Sequence, residues 1–195
     1  MRKFIQVLPL SLAFGWSILF HFQPVQAQAP LWAADSGSVA FVSDAPLELI
    51  SASSKEVSGL ISVANGEFAF SIPIRSFFGF NNSLQREHFL ENYLEEAKFP
   101  KATFKGRIIG QVNLDRDGSY PVRAKGSFSI HGFEQDRIIP ALIEVKEGKA
   151  HVSAEFSLMV ADFGIHIPKV VRKKIAEEIL TTVDIDFFPR ASMEE

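Results

Sequence analysis

Through most of this chain apolar side chains recur at every second position. A stretch with that spacing buries them only as a strand with one dry face and one wet face. Glu67–Arg75 sets the pattern: Phe68, Phe70, Ile72 and Ile74 fall on one side, and Glu67, Ala69, Ser71, Pro73 and Arg75 on the other. Pro73 cannot donate a ladder hydrogen bond, which places it at an edge or a bulge. Residues 102–112 align Ala102, Phe104, Gly106, Ile108, Gly110 and Val112 against Thr103, Lys105, Arg107 and Gln111. Residues 120–130 set Tyr120, Val122, Ala124, Gly126, Phe128 and Ile130 against Arg123, Lys125, Ser127 and Ser129. Residues 139–145, 150–160 and 181–187 repeat the alternation, and weaker strands are expected near 38–43, 47–53 and 57–64.

Asn65-Gly66, Asp117-Gly118 and Glu147-Gly148 fall between these strands, where tight hairpins need positive φ angles. Successive strands joined by such turns make an antiparallel meander. Eight or nine of them, each with one wet face, close best into a barrel, because closure removes the exposed edges. Two stretches break the period. Asn82–Glu96 reads as a helix that turns Phe89, Leu90, Tyr93 and Leu94 toward the core. Pro168–Leu180 reads as a second, opened by Pro168, with Val171, Ile175 and Ile179 four apart. The expected fold is therefore all-β: one antiparallel barrel of about eight strands with two short helices.

The start of the chain has a different composition. Arg2 and Lys3 precede a stretch without Asp, Glu, Lys or Arg up to Gln26, and Val25 and Ala27 supply small residues before a cleavage point. That is the layout of a secretory signal peptide over residues 1–27, followed by a loose leader over 28–37 and a domain over 38–190. The other reading is a membrane anchor. The apolar stretch is interrupted by Pro9, Ser11, Gly15 and Ser17 and is marginal for the roughly 20 residues a stable span requires. The sequence has no Cys, which excludes a lipid-modified cysteine anchor, disulfides and any thiolate chemistry. Loss of Arg2 and Lys3 would leave the chain more acidic than its net charge of −3. A nucleic-acid partner would require a basic face, and none is expected.

A small barrel is either filled by its own side chains or holds a guest. Ala102, Gly106, Gly110, Ala124, Gly126, Ala150 and Ala154 put small residues on inward faces beside Phe104, Phe128 and Phe156. Read one way, they leave room for a long, thin apolar ligand. Read the other way, glycines in barrel strands mark bulges and corners, and small–large alternation fits a taper. On the first reading, the candidate ligand contacts are Phe68, Phe70, Ile72 and Ile74 on one strand and Phe104, Gly106 and Ile108 on the next. Ala124, Gly126 and Phe128 follow, then Ala154, Phe156 and Leu158, and finally Phe187.

Catalytic and metal chemistry find little footing. His88, His131, His151 and His166 are widely spaced, whereas zinc sites usually take three or four protein ligands, so no metal and no cofactor are expected. No Gly-x-Ser-x-Gly elbow is present. The consecutive Arg86, Glu87 and His88 diverge on a helix and read as a charged surface or as the polar rim of a barrel mouth. Lys169, Arg172, Lys173 and Lys174 form the strongest basic cluster, either a solvated face or a transient contact with anionic head groups.

Three stretches together resemble the YceI-like family. In Leu84–Phe104, Arg86, Glu87, His88 and Phe89 match the opening of the family's short helix, and Phe99, Pro100 and Phe104 match the start of its next strand. Gly126–Val145 looks like its glycine-led hairpin, although Phe128-Ser129 replaces the usual Leu-Thr and Phe133 a usual Val. Asp162-Phe163-Gly164-Ile165, with Ile175–Ile185, looks like its C-terminal portion. The likeness spans about residues 38–188. It implies a lipocalin-like barrel, often periplasmic, that binds a polyisoprenoid or another long amphiphile in an apolar tunnel, with no catalytic residues to carry over. The expected function is then an exported, non-enzymatic carrier or sequestering protein for a long-chain isoprenoid-like or quinone-like lipid. The alternative is a filled barrel that binds another envelope protein through outward residues such as Leu60, Ile109, Leu142 and Phe188.

Overall fold

A computed structural model describes residues 31–190. The expected signal peptide lies outside them. Nine strands follow one another: β1 (Leu31–Ala45), β2 (Glu48–Ser54), β3 (Ser58–Ser62), β4 (Glu67–Pro73), β5 (Lys101–Ile109), β6 (Gly118–Ile130), β7 (Phe133–Lys146), β8 (Lys149–Met159) and β9 (Glu178–Arg190). They form one antiparallel sheet that closes on itself where β1 pairs with β9. β2 and β3 share a single place in the wall. β2 runs beside Val39–Ala45 of β1, and β3 beside Leu31–Ala33. The barrel is therefore eight positions around, and the all-β closed barrel expected from the alternation is what forms. Among the described residues no helix is long and apolar enough to cross a membrane.

The strands form where the alternation predicts, and three local readings need correction. β1 starts at Leu31, so the barrel takes in much of what reads as a loose leader. Its period is masked by a bulge between Ala34 and Ser36 and by Gly37. The second helix is absent. Pro168–Leu180 holds a single 3₁₀ turn at Lys169–Val171, and β9 begins at Glu178. Ile179 belongs to that strand, paired with Leu158, so its spacing of four from Ile175 is not a helical repeat. Asp117-Gly118 is not a hairpin turn either; β5 and β6 are joined by a longer loop over 110–117. The tight turns are Glu147-Gly148 and His131-Gly132, with φ of 51° and 74°, and 52° and 77°. His tolerates the left-handed region better than most side chains, though less well than Asn.

Among the described residues the one α-helix is α1 (Ser83–His88), capped by Asn82, whose side chain accepts from the Gln85 N–H at 2.9 Å. It runs on as a π turn over Phe89–Tyr93. Arg86 fastens it to the wall, donating from Nε to the Phe77 carbonyl at 3.1 Å and from Nη2 to that of Arg75 at 2.6 Å. Its guanidinium also lies 4.3 Å from the centre of the Phe78 ring.

Two pairs of strands meet more closely than side chains permit. Gly106 and Gly126 face each other across β5 and β6. A Cβ on Gly106 would stand 2.0 Å from the Lys125 carbonyl oxygen, and one on Gly126 would stand 2.1 Å from that of Lys105. Gly37, at φ 142°, makes the same approach to β9, where a Cβ would lie 2.3 Å from the Asp184 carbonyl oxygen. The two seams stand on opposite sides of the barrel, with β6–β9 on one flank and β1–β5 on the other. These glycines fold the wall at two corners.

Candidate functional site

The interior divides into two parts. Trp32, Ile61, Phe68, Phe104, Leu114, Val122, Ile139, Ile143, Val145, Ala150, Val152, Ile185 and Phe187 pack into one continuous core at the end where β1 begins and β9 finishes. Phe187 and Ala150 are wholly buried there. The second cluster, at the α1 end, contains Ala52, Ile72, Ile74, Phe77, Leu94 and Ala102. All of these but Ala52 border an open space of about 400 Å³ rather than fill it. That volume lies within the usual range of small-molecule pockets, about 300–1,000 Å³.

The floor of this cavity is aromatic. Phe128 stands 5.2 Å from Phe104, 6.0 Å from Phe156 and 6.0 Å from Phe163, centroid to centroid. Phe163 comes from a 3₁₀ turn over Val160–Phe163 that ends on Gly164 in the left-handed region. Three groups hold that turn. Gln135 donates to the Asp162 carbonyl at 2.9 Å, Arg137 pairs with the Asp162 carboxylate, and His131 Nδ1 lies 3.0 Å from the Phe163 carbonyl. The hairpin residue His131 thus reaches back to fix the floor. On its other side Nε2 meets a Glu95 carboxylate oxygen at 3.1 Å.

The walls are aliphatic and aromatic. Phe41 is stacked on Phe89 at 5.4 Å and touches Phe77 and Phe80, so four rings line the flank under α1. Ile165, Ile167, Val171 and Ile175 close the opposite flank. The segment that carries them is tied down by the Leu47 N–H, which donates to the Lys173 carbonyl at 2.8 Å. The Ala176 N–H also donates to Ser43 Oγ at 2.9 Å. Charged groups stand only toward the opening, where Glu48, His88 and Lys174 gather with Gln85, whereas Ser43 and Thr181 are buried in the wall. His88 and Lys174 are exposed, so the space reaches solvent between α1 and the 165–177 segment. Gln85 Nε2 donates to Glu48. Burial raises the pKa of the Tyr93 phenol, which stays neutral within the wall. Among the described residues no group of three His, Asp or Glu side chains converges as metal ligands do.

The residues expected to line a tunnel divide between the two parts. Ile72, Ile74, Phe128 and Leu158 border the cavity. Phe68, Phe104 and Phe187 are buried in the filled core, with Phe70, Ile108, Ala124, Ala154 and Phe156 packed against it. Gly106 and Gly126 stand at a corner, where they permit close strand approach and make no room for a guest. Of the consecutive Arg86, Glu87 and His88, Arg86 is the strut that holds the helix and His88 stands at the rim. The alternation gave no sign of the contributions of Phe41, Ile50, Phe77 and Phe80, or of the segment 165–175. Phe77 and Phe80 lie outside strands, and which inward residues share an end depends on strand stagger.

A family description, the YceI-like domain, matches residues 32–187. No curated protein sequence matches the chain. Among solved structures the fold is similar to a polyisoprenoid binding domain from Saccharophagus degradans implicated in plant cell wall breakdown. That likeness has a TM-score of 0.70 and 16% identity, over 82% of this chain and 98% of that one. It is also similar to Burkholderia cenocepacia BcnA, with a TM-score of 0.63 and 16% identity over 77% and 95% of the two chains. A Campylobacter jejuni YCEI protein matches with a TM-score of 0.55 and 16% identity over 70% and 82%.

Proposed function

The chain belongs to the YceI-like family, and on that premise we propose that it is an exported, non-enzymatic binding protein for the apolar chain of an isoprenoid-like or quinone-like amphiphile. The observation that carries this reading is the one-ended cavity, with largely apolar walls, an aromatic floor and charged side chains confined to its mouth. Such a space takes a hydrocarbon chain tail-first and leaves a polar head beside Gln85, His88 and Lys174. Affinity would come from apolar area withdrawn from water, about 25 cal/mol per Å² before the losses of association. One structural neighbour is described as a polyisoprenoid binding domain, which supports the ligand class. Because the space ends at Phe128 and Phe163, its volume of about 400 Å³ limits the length of chain that lies inside while the head stays at the mouth. Export rests on residues 1–27, whose charged start, apolar stretch and small-residue site fit removal on secretion. Carriage and sequestration both need only this site.

The test is occupancy. Solvent extraction and mass spectrometry of the purified protein should release an isoprenoid-like lipid, and a fluorescent quinone-like probe should bind in its place. Ile130→Trp, at a partly buried position on the cavity wall, should abolish probe binding while leaving the thermal unfolding midpoint near that of the parent. A protein that carries no lipid and ignores such probes would instead favour a filled module that docks another protein. The packed half of the interior is the observation on the side of that second reading.

A further inference from the structure

We propose that the segment Pro168–Lys174, at the mouth of the cavity, is a docking surface for an anionic lipid bilayer. This goes beyond the binding function above, since a carrier could equally collect its ligand from solution or from another protein.

The segment exposes an apolar tip among cations. Val170 is 90% exposed, the most exposed of the large apolar side chains among the described residues. Lys169, Arg172, Lys173 and Lys174 surround it in sequence, all exposed, with no acidic residue before Glu177. Arg172 approaches Glu177 at 3.9 Å, whereas none of the three lysines has an ion-pair partner among the described residues. The neighbouring elements add apolar tips. The hydrogen bond from Leu47 to Lys173 holds the β1–β2 turn against the segment, and Leu47 is 68% exposed. Across the mouth, the Gln85–Glu48 contact ties α1 to β2, and Leu84 beside it is 55% exposed.

Isolated apolar tips on separate elements do not make the packed, desolvated centre of a stable protein interface. They do suit insertion at the level of lipid head groups, where the lysines around Val170 meet anionic phosphates. The chain as a whole carries a net charge of −3, so attraction to an anionic surface has to be local, and this segment supplies it. The placement also serves the cavity. Val171 and Ile175 line the wall from the segment whose Val170 points to solvent. A bilayer against this face lies over the opening, and an apolar chain could pass between the two without crossing water.

The experiment is co-sedimentation of the protein with phosphatidylcholine vesicles, with and without phosphatidylglycerol, at two salt concentrations. Binding should require phosphatidylglycerol and weaken with salt. Val170→Asp, and separately the pair Lys169→Glu with Lys173→Glu, should each lower it roughly tenfold or more. Both variants should keep the thermal midpoint and the probe occupancy of the parent, which separates failure at this surface from failure of the cavity. Equal binding to both vesicle types, or variants that bind as the parent does, would overturn the proposal. So would photo-crosslinking from position 170 to a protein in the absence of vesicle binding, which would assign the surface to a protein partner.

Discussion

The filled end and the hollow end of the barrel are built from the same strands, yet one excludes a guest and the other admits it. At the filled end, strands from both flanks bring bulky residues into register. Phe68 lies 4.9 Å from Phe104, and Phe70 lies 5.8 Å from Phe187 in an edge contact. Gly59 has no side chain because the Phe70 ring lies where its Cβ would point, 2.6 Å away. At the hollow end the wall is partly made from elements that are not strands. There α1, the π turn and the 165–177 segment form part of the wall, and residues such as Phe41 and Ile130 pack on one side and border open space on the other. Interior space in a small barrel thus comes from what caps it as much as from small side chains along its strands.

The sharpest way to break this contrast is to truncate one ring at each end. Phe187→Ala should cost about 3–5 kcal/mol in urea unfolding, as for other fully buried rings. Phe41→Ala should cost less, because that ring already borders open space, and should admit bulkier probes. Equal costs at the two sites would mean that the hollow end collapses. The corners come next. Gly106→Ala puts a Cβ against the Lys125 carbonyl and should cost about 1–3 kcal/mol or more by the same measurement. Gly148→Ala, at φ 74° with nothing within 4 Å of the added methyl, isolates conformational strain and should cost about 1 kcal/mol. The smallest effect concerns the tie between the π turn and the floor. Hydrogen bonds from Lys98 and His131 hold the Glu95 carboxyl below its ordinary 4.5, so this contribution to stability is present above that value. It is lost as the pH falls through the lower folded value. Glu95→Gln should therefore lower the thermal midpoint slightly at pH 7, and the gap should close as the pH is lowered through that range. A gap that stayed constant with pH would remove the electrostatic account.

The barrel was legible because each strand carries its own parity. Phe68, Phe70, Ile72 and Ile74 announce one dry face whatever their partners. Residues 31–37 did not announce a strand, because a bulge and a corner glycine interrupt the alternation there. Residues 168–180 announced a helix falsely, since a spacing of four is also two strand periods, and Val171 and Ile175 face the cavity from turns. The site was legible only as a face. Parity places Phe104 and Leu158 on the interior, but it does not tell which end of the interior each occupies. Gly106 and Gly126 were the harder case: the absence of a side chain reads as space, and only the facing backbone reveals that the space is already taken.

The β1–β9 seam has a consequence in time. Leu31 lies opposite Arg190, and Val42 opposite Leu180, so the first strand of the barrel is completed by the last to be made. Every other neighbouring pair except β1 and β3 is consecutive in the chain, and can form as soon as its own hairpin or loop exists. The ring is therefore an open, curling sheet with two unsatisfied edges until about the final tenth of the described chain arrives. Contacts this distant in sequence are slow to find. The nascent protein spends that interval with its Phe-rich face uncovered, and closure of this one seam converts a sticky ribbon into a vessel.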